Sequence, residues 1–201
     1  MFHKIPASKN SISNRTLIYG VGINDANYAT NRRVNGKRIM CPTYMKWSRM
    51  LERSYSEKFK AKNPTYSDCY VCKEWLTFSS FAEWYERNFI DGYQLDKDIK
   101  EKGNKEYSPS KCLFVPRCIN TLMLNKPSKK SNYPSGVSFC STTKRLQVKI
   151  NIDNKHVFIG RFDSVKPASD AYKKAKNSEI LRKCEQYPEF AKYLNKHMYE
   201  V

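Results

Sequence analysis

From Pro42 onward, Tyr44, Trp47, Met50, Leu51 and Tyr55 recur at helical spacing, with Lys46, Arg49, Glu52 and Arg53 between them. That period predicts an amphipathic helix with a basic outer face. A second helix is predicted over Phe78 to Asn88, where Phe78, Phe81 and Trp84 stand three apart and Thr77 is placed as the cap. These aromatics read as core packing. The pattern then changes: Gln94 to Ile99 alternates, Gly103-Asn104 marks a turn, and Cys112 to Val115 is a compact apolar strand ended by Pro116. Arg117 to Leu124 can follow as a helix, because proline is tolerated in a first turn. The order is strand, loop, strand, helix.

The flanks read differently. The first forty residues are polar and broken, with Tyr19-Gly20-Val21-Gly22 and the turn signal Asn35-Gly36, and form an arm or loose hairpin over residues 1–40. Asn125 to Pro134 holds almost nothing apolar and two prolines, the composition of an exposed linker. Beyond it, Gly136 to Phe139, Leu146 to Ile152 and Val157 to Phe162 are predicted strands joined by the turns Thr142 to Lys144 and Asp153 to Lys155. Asp163 or Ser164 caps a helix that carries Ala168, Ala171, Tyr172 and Ala175 along one side, and Phe190 and Leu194 mark one more helix. The expected division is an arm (1–40), a central domain (41–124), a linker (125–134), a sheet-and-helix module (135–184) and a final helix (185–201). The fold class is α+β.

Charge narrows the partner. Lys and Arg number 37 against 19 acids in 201 residues, a formal net charge of +18. Such a chain repels itself unless a polyanion neutralises it, and nucleic acid leads an anionic membrane surface, which would want an amphipathic basic helix or a lipidation signal. No apolar run of about 18 residues occurs, and the first sixteen residues lack the apolar stretch of a secretory signal, so a soluble, cytoplasmic protein is expected. Aromatics at 13% are enough for a real core, which argues against a disordered basic tail.

The central segment, from Tyr19 to Leu124, resembles bacteriophage HNH homing-type endonucleases. The resemblance rests on Cys41-Pro42-Thr43-Tyr44-Met45-Lys46-Trp47, Leu95-Asp96-Lys97-Asp98-Ile99, Gly103-Asn104-Lys105, Tyr107-Ser108-Pro109-Ser110-Lys111-Cys112 and Val115-Pro116-Arg117-Cys118-Ile119-Asn120. It implies a ββα-metal core, of the HNH or His-Me finger kind, with flanking helices. It also implies one divalent ion, Mg2+ or Mn2+, held by Asp96 and Asn120, with Asn104 positioning the hairpin, and a phage-encoded protein of the host cytoplasm. In this class the ion stabilises the leaving oxygen while a base activates water. Lys97 stands where the resemblance expects the base His. A solvated lysine, with a pKa of about 10.4, is protonated at neutral pH and does not accept a proton. Three readings stay open: Asp98 is the base, Lys97 grips the scissile phosphate while bulk hydroxide attacks, or the site does not cut. The plain alternative for Asp96-Lys97-Asp98 is a solvated strand edge of alternating charge.

Cys69-x-x-Cys72 has zinc-knuckle spacing, with Cys112, Cys118 or Cys41 as completing ligands. Seven cysteines, an odd number, favour reduced thiols over a disulfide framework. Cysteine is also a common buried small hydrophobe, and structural zinc and core packing both remain open.

The C-terminal segments Tyr133 to Phe139, Leu146 to Ile150, Phe158 to Asp163 and Ala168 to Tyr172 resemble the APETALA2/ERF domain. That resemblance implies a three-stranded antiparallel sheet packed on one helix, with the sheet in the major groove of double-stranded DNA. Alternation puts Val148 and Ile150 on one face and Gln147, Lys149 and Asn151 on the other. Those three, with Lys144, Arg145 and Arg161, are the DNA-contact candidates; no small-molecule cofactor is expected. The leading expectation is a site-directed DNA endonuclease. A non-catalytic DNA-binding protein on a degenerate nuclease scaffold is the second, and an RNA-binding protein the third.

Overall fold

Periodicity becomes helix where the sequence marks it. In the computed structural model, which describes residues 2–123, 132–153 and 155–200, the elements in chain order are α1 (Lys9–Ser13), β1 (Asn31–Val34), β2 (Lys37–Met40), α2 (Pro42–Tyr55), α3 (Glu57–Lys62), β3 (Tyr70–Val71), α4 (Phe78–Asn88), β4 (Tyr93–Asp96), β5 (Glu106–Tyr107), β6 (Leu113–Pro116), α5 (Arg117–Met123), β7 (Val137–Cys140), β8 (Arg145–Ile152), β9 (Lys155–Phe162), α6 (Val165–Gln186) and α7 (Pro188–Leu194). The protein is mixed α+β with a three-stranded antiparallel sheet. By contact, one unit comprises Met1–Asp91 with Gly103–Phe114, and the other Gly92–Lys102 with Val115–Val201. Most of the predicted linker, residues 125–134, lies outside the described residues.

The first unit is built on aromatic packing. α2 buries Tyr44, Trp47, Met50 and Leu51, and Trp47 donates from Nε1 to the Trp75 carbonyl over 2.7 Å. Tyr44 and Trp47 meet Phe78 at ring distances of 5.3 and 5.4 Å. α4 has the predicted bounds, but Thr77 makes no side-chain cap. Asp25 does that work: its carboxylate accepts from the Ser79 backbone N–H at 2.9 Å and from the Ser79 hydroxyl at 2.5 Å, placing a negative charge at the positive helix end. The predicted hairpin is β1 against β2, turning at Asn35 and Gly36, both with positive φ. β3 pairs with β5 in parallel.

In the second unit β8 alternates as expected. Leu146, Val148 and Ile150 are buried, while Arg145, Lys149 and Asn151 are exposed and Gln147 half-buried. Leu146 and Val148 join Val137 and Ala168 in a core flanked by Tyr133, Phe162 and Tyr172. Ser164 precedes α6 without a side-chain cap bond; Asp163, the other expected cap, pairs with Arg145 instead. Gly136 has φ +77°, and a Cβ there would lie 2.1 Å from the Tyr172 ring, so the entry to β7 requires glycine twice over. The turn between β8 and β9 is tied to α6: Asp153 accepts from Lys183 at 2.8 Å and Arg182 at 2.6 Å, and Arg182 also reaches Glu179 at 2.7 Å. Within the same unit α5 packs on β4 and on β8. β4 pairs with β6, whose Val115 and Pro116 belong to this unit. Among the described residues no helix is long and apolar enough to cross a membrane.

Candidate nucleic-acid interface

The face of the β7-β8-β9 sheet opposite its core is polar. The register places Ser138, Gln147 and Arg161 in one cross-strand row, Lys149 beside Phe158, and Asn151 beside His156. One register irregularity shapes this face. Val148 pairs with Gly160 but Lys149 with Phe158, leaving Ile159 as an extra residue in β9, a β-bulge. It sets Phe158 and Arg161 on one face although they are three apart, and the Arg161 guanidinium lies 5.4 Å from the centre of the Phe158 ring. Gln147, Lys149 and Asn151 stand together as the alternation predicts, and the register of β9 brings Arg161 to the same face. Lys144 is exposed, in the β7–β8 turn, at φ 54°. Arg145 is at the sheet edge in a two-pronged pair with Asp163, at 2.7 and 2.8 Å. His156, Phe158 and Ser138 were missed in the sequence, where no signal marks the bulge that sets His156 and Phe158 on the face of Arg161.

Cys140 shares this face through its pairing with Arg145. The neighbouring Thr143, through its side chain and backbone, then the Thr142 backbone and Arg161, hold its thiol below the ordinary cysteine value. Asp153 is likewise held low, by the hydrogen bonds from Lys183 and Arg182.

The strand-turn-helix constellation is only partly assembled. Asp96 ends β4, and its Oδ1 accepts from the backbone N–H groups of Asp98 at 2.8 Å and Ile99 at 2.7 Å, closing the turn. Burial pushes the Asp96 carboxyl up, and the neighbouring Asp98 adds to this against those two N–H groups and Lys97. Lys97 is buried, and its Nζ donates to Asp98 Oδ1 over 2.7 Å. Asn120, on α5, donates from Nδ2 to Gln94 Oε1 over 2.7 Å. Because Gln94 and Asp96 alternate along one strand, the face of β4 that meets Asn120 is the face that carries Asp96. Asn104 belongs to the first unit, where its amide donates to the Glu106 carbonyl at 2.7 Å and accepts from the Glu106 N–H at 3.2 Å, bracing its own loop. One residue not assigned from sequence reaches the motif: a ring nitrogen of His197 lies 3.1 Å from the Ile99 carbonyl oxygen. A separation of 98 residues hid it.

A hard divalent cation suits the donors present. Asp96 Oδ2 and Asn120 Oδ1 make no hydrogen bond among the described residues, and Mg2+ accepts one or two protein oxygens with phosphate and water completing its shell. Cys69 and Cys112 are buried and Cys72 is half-buried, with burial pushing the Cys72 thiol up, and among the described residues no three His, Cys, Asp or Glu side chains gather as a ligand set.

Compared with known protein families, curated proteins and solved structures, the chain gives no match.

Proposed function

We propose that this chain binds double-stranded DNA through the outer face of β7, β8 and β9, and nicks or cuts it with one Mg2+ or Mn2+ held by Asp96 and Asn120 in an HNH-like ββα core formed by β4, β6 and α5. The observation that carries the DNA-binding part is the sheet face itself. Gln147, Lys149 and Asn151 on β8 and His156, Phe158 and Arg161 on β9 form one polar surface backed by a buried apolar one. Arg and Lys are suited to phosphates and guanine edges, Gln and Asn to adenine, and a sheet of this kind fits the major groove. The net charge of +18 supplies the general attraction.

For the chemistry, the ion would stabilise charge on the leaving oxygen; Lys97 and Asp98, next to Asp96 in sequence, form a bonded pair. A second reading, DNA binding without cutting, is favoured by that same pair: Lys97 occupies one oxygen of Asp98, the alternative base. The test is incubation of the full chain with supercoiled plasmid and Mg2+ or Mn2+, beside Asp96→Ala, Lys97→Ala and an EDTA control. Metal-dependent nicking lost in Asp96→Ala is the expected result. Duplex binding with no nicking selects the second reading, and preference for single-stranded RNA over duplex DNA rejects both.

A further inference from the structure

The hairpin of β1 and β2 is built against its own stability. Its ten residues, Asn31 to Met40, contain Arg32, Arg33, Lys37 and Arg38 and no acid. Arg33 stands directly opposite Arg38, and Val34 opposite Lys37. Like charges facing across a strand pair destabilise it, and a two-stranded hairpin has little stability to spare. Burial does not compensate: Arg33, Lys37 and Arg38 are exposed, as are Val34 and Ile39. Among the described residues Arg33, Lys37 and Arg38 have no ion-pair partner, and Arg32 Nε is buried without a hydrogen-bond partner. The turn itself is sound, with Asn35 at φ 49° and Gly36 at φ 74°, as a tight two-residue hairpin turn requires.

The alternation of the pair spreads the charge over both faces. Arg33 and Arg38 share one side, and Arg32 and Lys37 the other. A ribbon charged on both sides suits a groove whose two walls are phosphate, and the major groove of B-DNA is wide enough for a two-stranded ribbon. We infer that the Asn31–Met40 hairpin is a second DNA-contacting element, which takes the duplex by its phosphates through Arg33, Arg38 and Lys37. The inference rests on the DNA-binding reading above and adds a contact surface that the C-terminal sheet does not supply. The repulsion between Arg33 and Arg38 is relieved when phosphate oxygens come between them.

The test measures duplex affinity of the full chain across a salt series, for the unaltered protein, an Arg33→Ala/Arg38→Ala variant, Arg38→Glu, and Lys149→Ala/Arg161→Ala as the sheet control. Two lost phosphate contacts should weaken binding about tenfold or more and flatten the plot of log affinity against log salt by roughly 1.8. Thermal stability should hold or rise, because Arg38→Glu gives Arg33 an opposite charge across the strands. Unchanged affinity and slope in both hairpin variants, with weakened binding in the sheet control, overturns the hairpin while DNA binding stands. Lack of duplex binding by the unaltered chain overturns both readings. A fall in stability that parallels the loss of binding in both hairpin variants, or binding of the hairpin to vesicles rich in anionic lipid with no effect on DNA, also overturns the inference.

Discussion

Asn120 on α5 and Gln94 on β4 are joined amide to amide over 2.7 Å. The bond spends the donor end of Asn120 on the protein and leaves its carbonyl oxygen as the end the proposed ion would use. Gln94→Ala should cost about 1 kcal/mol of stability in urea denaturation and raise the Mn2+ concentration needed for half-maximal nicking. An unchanged metal requirement would show that Asn120 is not oriented by Gln94.

Asp96→Asn separates the fold from the metal. A carboxyl raised by burial has a folded pKa above its unfolded one, so the stability it contributes is present in acid and lost as pH rises through the folded value. At pH 7 to 8, well above the unfolded value, the carboxyl is a burden that Asn lacks, while Asn keeps an oxygen for the Asp98 and Ile99 N–H groups. Thermal denaturation should show Asp96→Asn at least as stable as the unaltered protein at pH 7.5 without metal. The stabilisation by Mn2+ expected of the unaltered protein should vanish. A variant still stabilised by Mn2+ would remove Asp96 from the metal site.

Lys176 is a second internal burden. It is buried on α6, its ammonium 5.9 Å from the Tyr172 ring, beside a crevice lined by Lys102, Met123, Ile180, His197 and Tyr199 but no carboxylate. Burial pushes its pKa down to about 8. A depressed folded value means the penalty is full below about pH 8 and gone above the unfolded value. Lys176→Met should therefore stabilise the protein by roughly 2 kcal/mol at pH 7, with the gain fading by about pH 10. An equal gain at both pH values would point to packing rather than charge.

Gly136→Ala should destabilise the C-terminal unit by about 2–4 kcal/mol, combining a left-handed backbone with a clash against Tyr172. Tyr172→Ala in the same chain should recover part of that loss by making room. Additive losses in the double variant would show that the ring is not the obstacle.

The seven cysteines should differ in reactivity. Cys140 is held low by the neighbouring Thr143 and Thr142, whereas burial pushes Cys72 and Cys184 up. Iodoacetamide at pH 7 should label Cys140 before either, as read by peptide mass analysis, and bound duplex should slow that labelling because Cys140 shares the sheet face with Gln147 and Lys149. Labelling unaffected by DNA would count against that face as the contact surface.

Much of the architecture was legible because side-chain period is local information. Trp47, Met50 and Leu51 announce α2, and Leu146, Val148 and Ile150 announce the inner face of β8, from spacing alone. What could not be read depends on distant residues or on backbone geometry. Asp25 caps α4 from 54 positions away where Thr77 was expected. His197 reaches Ile99 only because α6 and α7 fold the chain back. Asn104 is near Asp96 in sequence yet is counted in the other unit, because its loop packs with β3 and β5. Arg145, a DNA-contact candidate, also pairs with Asp163, whose carboxylate was expected at a helix cap.

The single extra residue at Ile159 has a bearing on how such a surface could change over generations. Point substitutions at Gln147, Lys149 or Phe158 would retune what the sheet reads and leave its core untouched. Losing or gaining one residue between Lys155 and Phe162 would turn either His156 and Phe158 or Arg161 inward, exchanging a polar or bulky side chain for an apolar one in the core. The length of β9 is thus held more tightly than its composition, and new binding preferences have to arise within a fixed residue count.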